Sequence, residues 1–257
     1  MHVNHIRCGT GTPLVLVHGI GHRWQAWEPV LARLSARHDV IAVDLPGFGA
    51  SPVPETGMPP DMPATVAAIG AVFAHLGLRR PHVAGNSLGG AIALELAAAD
   101  LAASATALSP AGFFTAAERR RALAILRALR IGSHLPVRLQ RVGPWRTVSV
   151  ASLVAQPGRL SLDRLVGDTL ALRNGAGFPA VARAARGYEF AGDPSVPVTV
   201  GWGTRDRVFR PHQAERVRQR LPRARVVELP GCGHIPMSDD PELVASLILS
   251  TTGGQYR

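Results

Sequence analysis

The chain of 257 residues has no lysine; all 28 of its basic residues are arginine. A positive surface can use either residue, so this bias reflects composition rather than a partner. Cysteine is almost absent. Cys8 and Cys232 stand far apart, and two such residues make neither a disulfide framework nor a zinc site. No run approaches the ~18 apolar residues of a membrane span, and Met1 to Pro13 has no signal-peptide core. The expectation is a soluble, cytoplasmic protein without stable membrane insertion. No linker rich in proline, glycine or serine splits the chain, and an apolar content of 46% allows a sizeable core.

The formal net charge of +10 is unevenly spread. Between Phe113 and Phe190 there are 13 arginines against 4 acids, or +9; elsewhere there are 15 against 14, or +1. No aromatic stacking pattern or binding-motif spacing accompanies the basic segment. It therefore reads as a solvated helical surface, with no nucleic-acid partner expected. Contact with anionic lipid or an anionic substrate stays open.

Short, unbroken apolar runs recur along the rest of the chain. They are Leu14 to Val17, Val40 to Val43, His82 to Ala84, Thr106 to Leu108, Val198 to Trp202 and Val226 to Leu229. Runs with so little polar alternation suit parallel strands covered on both faces. Helical patterns lie between them: Trp27 to Leu34, Thr65 to Leu76, Leu88 to Ala99, Pro211 to Leu221 and Pro241 to Leu249. This alternation predicts an α/β fold, a mostly parallel sheet with helices on both faces. From Phe113 to Phe190 no strand is convincing. Ala116 to Arg130, Leu160 to Arg173 and Pro179 to Arg186 read as helices of an insertion, a lid over the strands' carboxyl ends.

The chemistry centres on Gly85-Asn86-Ser87-Leu88-Gly89-Gly90. Gly-x-Ser-x-Gly between an apolar run and an alanine-rich helix places the serine on a tight strand-to-helix turn. The glycines let the backbone close up there, and the helix start aims free N–H groups beside the serine. A serine hydroxyl needs a base, and the base needs an orienting group. His234 follows the glycine-rich turn after the last strand, and its rival His18 ends the first clear one. Asp206 ends the preceding strand region, whereas Asp193 precedes that strand and sits at the wrong edge. Ser109 to Gly112 offers no acid. In chain order the candidates are Ser87, Asp206 and His234. The loop His18-Gly19-Ile20-Gly21 can expose backbone N–H groups, so Ile20 and Leu88 are the candidate donors to an oxyanion. His18 is then a loop-ordering residue.

With these residues in place the chain resembles the α/β-hydrolase superfamily, in the subset with a helical cap inserted after the sixth strand. The resemblance rests on His18-Gly19 with Trp27 downstream, Asp44 to Ser51, the elbow at Ser87, Gly203-Thr204-Arg205-Asp206 and Gly233-His234. It spans almost the whole chain. It implies a sheet of seven or eight strands, with the family's first antiparallel strand missing or reduced. It also implies that Asp44 to Ser51 is a structural loop rather than a source of catalytic acid. Haloalkane dehalogenases and epoxide hydrolases of this superfamily place aspartate where Ser87 stands. Epoxide hydrolases add two cap tyrosines, and here only Tyr188 and Tyr256 exist. Ring-cleavage carbon–carbon hydrolases share Gly-Asn-Ser-Leu-Gly-Gly but commonly carry tryptophan where Ile235 follows His234.

The resemblance implies a core of residues 1–112 and 191–257 and a cap of residues 113–190. The function expected is a carboxylesterase acting through an acyl-serine on small-to-medium apolar esters, with no metal or organic cofactor. Ile20, Trp24, Leu88, Ser109, Trp145 and Ile235 are the pocket-lining candidates. Carbon–carbon hydrolase, lactonase, thioesterase and cofactor-free haloperoxidase chemistry remain alternatives, as does a small-ligand receptor of the same fold. Monomer and homodimer are both compatible.

Overall fold

A computed structural model describes residues 3–136 and 150–253. Seven strands form one sheet: β1 (His5–Cys8), β2 (Thr12–Val17), β3 (His38–Val43), β4 (His82–Asn86), β5 (Ser104–Leu108), β6 (Val198–Gly203) and β7 (Arg225–Leu229). Their order is β1-β3-β2-β4-β5-β6-β7. The pairs from β3 to β7 are parallel, and β1 is antiparallel to β3, with His5 opposite Val43 and Cys8 opposite Val40. The α/β class and the strand number match the sequence expectation. Strand β1 itself, at one edge of the sheet, is absent from the apolar runs because His5 and Arg7 interrupt its four residues.

Among the described residues the helices are α1 (Glu28–Ser35), α2 (Met62–His75), α3 (Leu88–Ala98), α4 (Ala116–Gly132), α5 (Leu162–Asn174), α6 (Phe178–Ala184), α7 (Gln213–Arg220), α8 (Pro236–Asp239) and α9 (Pro241–Thr252). Side chains alternate across the strands, so each run feeds two cores. Val15, Val17, Ile41 and Val83 meet Ile69 and Phe73 of α2, Ile92 of α3 and Val217 of α7. Leu14, Leu16, Val40 and Leu108 meet Val30 and Leu34 of α1 and Val244 and Ile248 of α9. Burying a leucine fully is worth about 1.5–3 kcal/mol, so this double-faced burial is the main term holding the sheet. No helix of the described residues is long and apolar enough to cross a membrane.

Helices α4, α5 and α6 all lie between β5 and β6. The arginines of this connection are not simply solvated. Arg130 donates to the carbonyls of Leu172 and Gly175, at 3.1 and 2.8 Å, and lies 4.8 Å from the Phe178 ring centre. Arg173 reaches Ser133 and Leu135 carbonyls, and Arg121 reaches that of Arg207 at 2.8 Å. Helix ends and turns leave carbonyls without partners, and guanidinium groups satisfy several of them here.

Helix α4 starts on a capping box, Thr115 with Glu118. The same Glu118 carboxylate accepts from Arg216 of α7 at 2.9 Å and pairs with His212. Partial burial pushes this carboxyl up, but the Thr115 N–H, His212, Arg216 and the Thr115 hydroxyl together pull it down to about 2. A depressed carboxyl stabilises the fold above its unfolded value and loses that contribution as pH falls toward the folded one. Glu118→Gln should therefore flatten the fall in urea midpoint between about pH 5 and 2 relative to the wild type. An identical pH profile for both proteins would refute this.

Candidate active site

Ser87 sits between β4 and α3 with φ 57° and ψ −113°. A non-glycine residue held there carries about 1–3 kcal/mol of strain. The turn is pinned from several sides. Ser87 N–H donates to Leu108 O at 2.9 Å, and Ser87 O accepts from Ala91 and Ala111 at 3.0 and 3.1 Å. A Cβ at Gly85 would lie 2.0 Å from Gly89 O, and one at Gly89 would lie 2.1 Å from Val17 O. Both positions therefore require glycine for close approach rather than for positive φ.

Asp206 follows β6 and His234 follows β7, both buried. The loops carrying them touch because Gly203 has no side chain: a Cβ there would lie 2.3 Å from Gly233 O. Asp206 Oδ1 accepts from the Val208 and Phe209 N–H groups, each at 2.8 Å. Its Oδ2 is 2.8 Å from His234 Nδ1. A neutral imidazole bonded this way carries its proton on Nδ1 and presents a lone pair at Nε2. The Phe209 ring packs edge-on against the imidazole at 4.9 Å.

His18 is occupied elsewhere. Its Nδ1 donates to Gly19 O at 2.7 Å, and its Nε2 accepts from Leu45 N–H at 2.9 Å. Burial pushes the imidazole down to about 4, so it stays neutral and orders its loop. Asp44 is equally committed. It accepts from the Trp24 N–H at 2.6 Å, the Ala50 N–H at 2.9 Å and Asn4 Nδ2 at 2.7 Å. Among the described residues, neither the Ile20 nor the Leu88 N–H is spent on a hydrogen bond of the fold.

Ser87, His234, Ile20 and Ile235 line one cavity of ≈ 420 Å³. Its other walls are largely apolar and come from the β5–β6 connection, among them Leu126, Leu129, Leu153 and Leu172. No arginine is among the described residues that line it. Three sequence expectations are corrected here, those for Trp24, Ser109 and the Leu88 side chain. Trp24 packs into the core under the sheet, with its N–H held by Asp44. Ser109 is fully buried behind the strand end, its N–H on Gly201 O at 2.8 Å. Neither lines the cavity. The Leu88 side chain lines a separate ≈ 70 Å³ pocket with Phe48 and Tyr188, so only its N–H bears on the serine. Trp145 lies outside the described residues.

Three further residues escaped the sequence reading. Asn86, within the elbow motif, donates to Leu108 O at 3.1 Å and His234 O at 2.8 Å, tying the serine turn to the histidine loop. His22 and Asp168 reach the cavity wall and stand 3.6 Å apart. Burial pushes the His22 imidazole down despite Asp168, so this wall gains no cation there. Nothing in one-dimensional spacing marks His22 or Asp168, because their elements meet only in the tertiary structure.

A serine elbow and an Asp–His pair gathered at the carboxyl ends of a parallel sheet define an α/β hydrolase. The chain belongs to the alpha/beta hydrolase family, whose model matches residues 14–247. It is 30% identical over 243 residues to a Pseudomonas putida protein named as the dihydrolipoyllysine-residue acetyltransferase component of the acetoin cleaving system. The match covers 93% of this chain but only 63% of that one. Among solved structures it is similar to a thermophilic esterase from Thermogutta terrifontis, with TM-score 0.78, 21% identity, and 99% and 94% of the two chains covered. It is also similar to a bacterial membrane phospholipase A, with TM-score 0.78, 26% identity, and 98% and 82% covered.

Removing the Asp44 carboxylate leaves the N–H groups of Trp24 and Ala50 without their acceptor. Leaving buried donors unpaired costs ~1–3 kcal/mol each, so Asp44→Ala should lose about 3 kcal/mol in urea unfolding. A loss below about 0.5 kcal/mol, the usual range of a surface change, would show that this loop does not depend on Asp44.

Proposed function

We propose that this hydrolase is a serine carboxylesterase acting on small-to-medium, uncharged apolar esters. The supporting observation is that Ser87, on its strained elbow, and His234, backed by Asp206, open onto the same apolar cavity. Ser87 Oγ attacks the ester carbonyl and gives its proton to His234 Nε2. Asp206 holds the tautomer and stabilises the imidazolium. The N–H groups of Ile20 and Leu88 receive the oxyanion, where one such donor is worth ~10²–10³ in turnover. His234 then returns the proton to the departing alcohol. Water, deprotonated by His234, releases the acid from the acyl-serine.

In this reading residues 113–190 are a helical cap closing over a core of residues 1–112 and 191–257, and the cap's inner face sets chain length. A 26% identical phospholipase A among the similar structures is consistent with carboxylic-ester chemistry. A ring-cleavage diketone carries a carboxylate that needs a cation, and no arginine lines the cavity among the described residues. That favours the ester over the carbon–carbon reading.

Ser87→Ala should lower kcat on a short-chain aryl ester by about 10⁶, the size seen when another triad enzyme loses its serine. Activity retained in that variant would overturn the nucleophile assignment. Binding of esters without turnover by the wild type would favour a receptor instead. Faster cleavage of a ring-cleavage diketone than of any ester would favour the carbon–carbon reading.

A further inference from the structure

Asp239, at the end of α8, is completely buried. Among the described residues no basic side chain reaches its carboxylate. Instead the carboxylate accepts three backbone N–H groups. Oδ2 takes Gly233 at 2.7 Å and Ala155 at 3.0 Å, and Oδ1 takes Gln156 at 2.7 Å. Arg159 donates to the backbone carbonyl of the same residue. Gly233 immediately precedes His234, whereas residues 155, 156 and 159 belong to the β5–β6 connection. One carboxylate thus joins two separate parts of the chain.

The residue on the other side of His234 is held by the same segment. Ile235 N–H donates to Leu153 O at 3.0 Å. The carbonyl of His234 itself accepts from Asn86. Contact between segment and loop is tight: a Cβ on Gly233 would lie 2.8 Å from Ala155 N and 2.9 Å from Leu153 O. Asp206 fixes one nitrogen of the imidazole, but a single hydrogen bond leaves the loop backbone free to carry the ring sideways. Where Nε2 ends up depends on Gly233 and Ile235.

We propose that Asp239 is a positioning residue, fastening the 153–156 segment to the histidine loop and so fixing the aim of the His234 imidazole at Ser87. The proposal rests on the serine-hydrolase reading above. A neutral amide in place of the carboxylate offers one acceptor oxygen to three donors and brings its own N–H₂ against one of them. The loop then relaxes, and a misplacement near 1 Å can cost about 10² in rate.

The test compares wild type, Asp239→Asn, Asp239→Glu and Gly233→Ala. The measurements are kcat and KM on a short-chain aryl ester, the downfield proton resonance of His234 Nδ1–H, and thermal unfolding. In Asp239→Asn, kcat should fall about 10–100-fold while KM stays within about threefold, and the resonance should shift or broaden. Asp239→Glu, which keeps the charge and both acceptors, should recover part of kcat. Gly233→Ala, whose methyl pushes the segment off the loop while leaving Asp239 in place, should reproduce the loss. Should Asp239→Asn fail to fold, Gly233→Ala decides by the same readouts. Wild-type kcat with an unchanged resonance in a folded variant overturns the positioning role, as does a loss confined to melting temperature. Activity surviving Ser87→Ala would overturn the nucleophile reading instead, and the resonance would still report on Asp239.

Discussion

Two backbones meet beneath Ser87 with no side chain between them, and the arrangement at the strand ends depends on that contact. Any Cβ at Gly85 or Gly89 would overlap a carbonyl oxygen. With hydrogen there instead, the start of α3 settles against the ends of β4 and β2. Ser87 is then left at positive φ, a conformation the neighbouring hydrogen bonds must hold. The loop after β2 is drawn in as well: a Cβ on Gly19 would lie 3.2 Å from the Ser87 Cβ. Ile20 and Leu88 flank the serine because of this packing. The contact of Gly203 with Gly233 does the equivalent work for Asp206 and His234. Both pairs of functional loops are set by backbone against backbone, which is less compliant than side-chain packing.

This explains why the candidate site was readable from sequence. Close backbone approach leaves glycines in the chain, and parallel strands buried on both faces leave unbroken apolar runs. Each candidate side chain could therefore be placed at a strand end by counting from such a run. What was not readable depends on pairing in three dimensions. The strand His5–Cys8 is too short and too polar to stand out; β3 makes it a strand. Trp24 and Ser109 sit near functional residues in the chain yet face the core, because position near a loop does not fix which way a side chain turns. Asp239 lies in a run of acids near a helix start, where capping is the ordinary expectation. Asp240, its neighbour, does cap α9.

The distribution of charge changes meaning once the structure is in view. The basic segment looked like a surface feature. Several of its arginines are instead bonded to carbonyls at helix ends and turns, and they stiffen the connection between β5 and β6. A guanidinium suits that task, since its fork can serve two acceptors while its stem packs on apolar neighbours. The cavity beneath stays largely apolar, and burial drives His22 on its wall and His18 on the same loop toward neutrality. Positive charge thus concentrates in the scaffold and stays out of the described cavity wall, an arrangement suited to a neutral substrate.

The same connection touches both functional loops, at different points. Asp168 of α5 stands by His22 and Arg23 on the loop after β2, at 3.6 and 3.9 Å, and the tip of Leu172 packs against Gly21. Residues 153–156 lie against Gly233 and Ile235. Lifting residues 153–156 would break the bonds at Asp239 and at Ile235 together, and with them the support of His234. Moving α5 away would expose Asp168 and its arginine partners while freeing the loop that carries Ile20. The end of α4 is different. Ile131 is 75% exposed and Leu135 is 48% exposed, and Leu135 also borders the cavity. That end is tied to α5, through Arg130 on the Leu172 and Gly175 carbonyls and Arg173 on those of Ser133 and Leu135. A proposed cap joined to both loops in this way sets the cavity wall against the same backbone that carries Ile20 and His234.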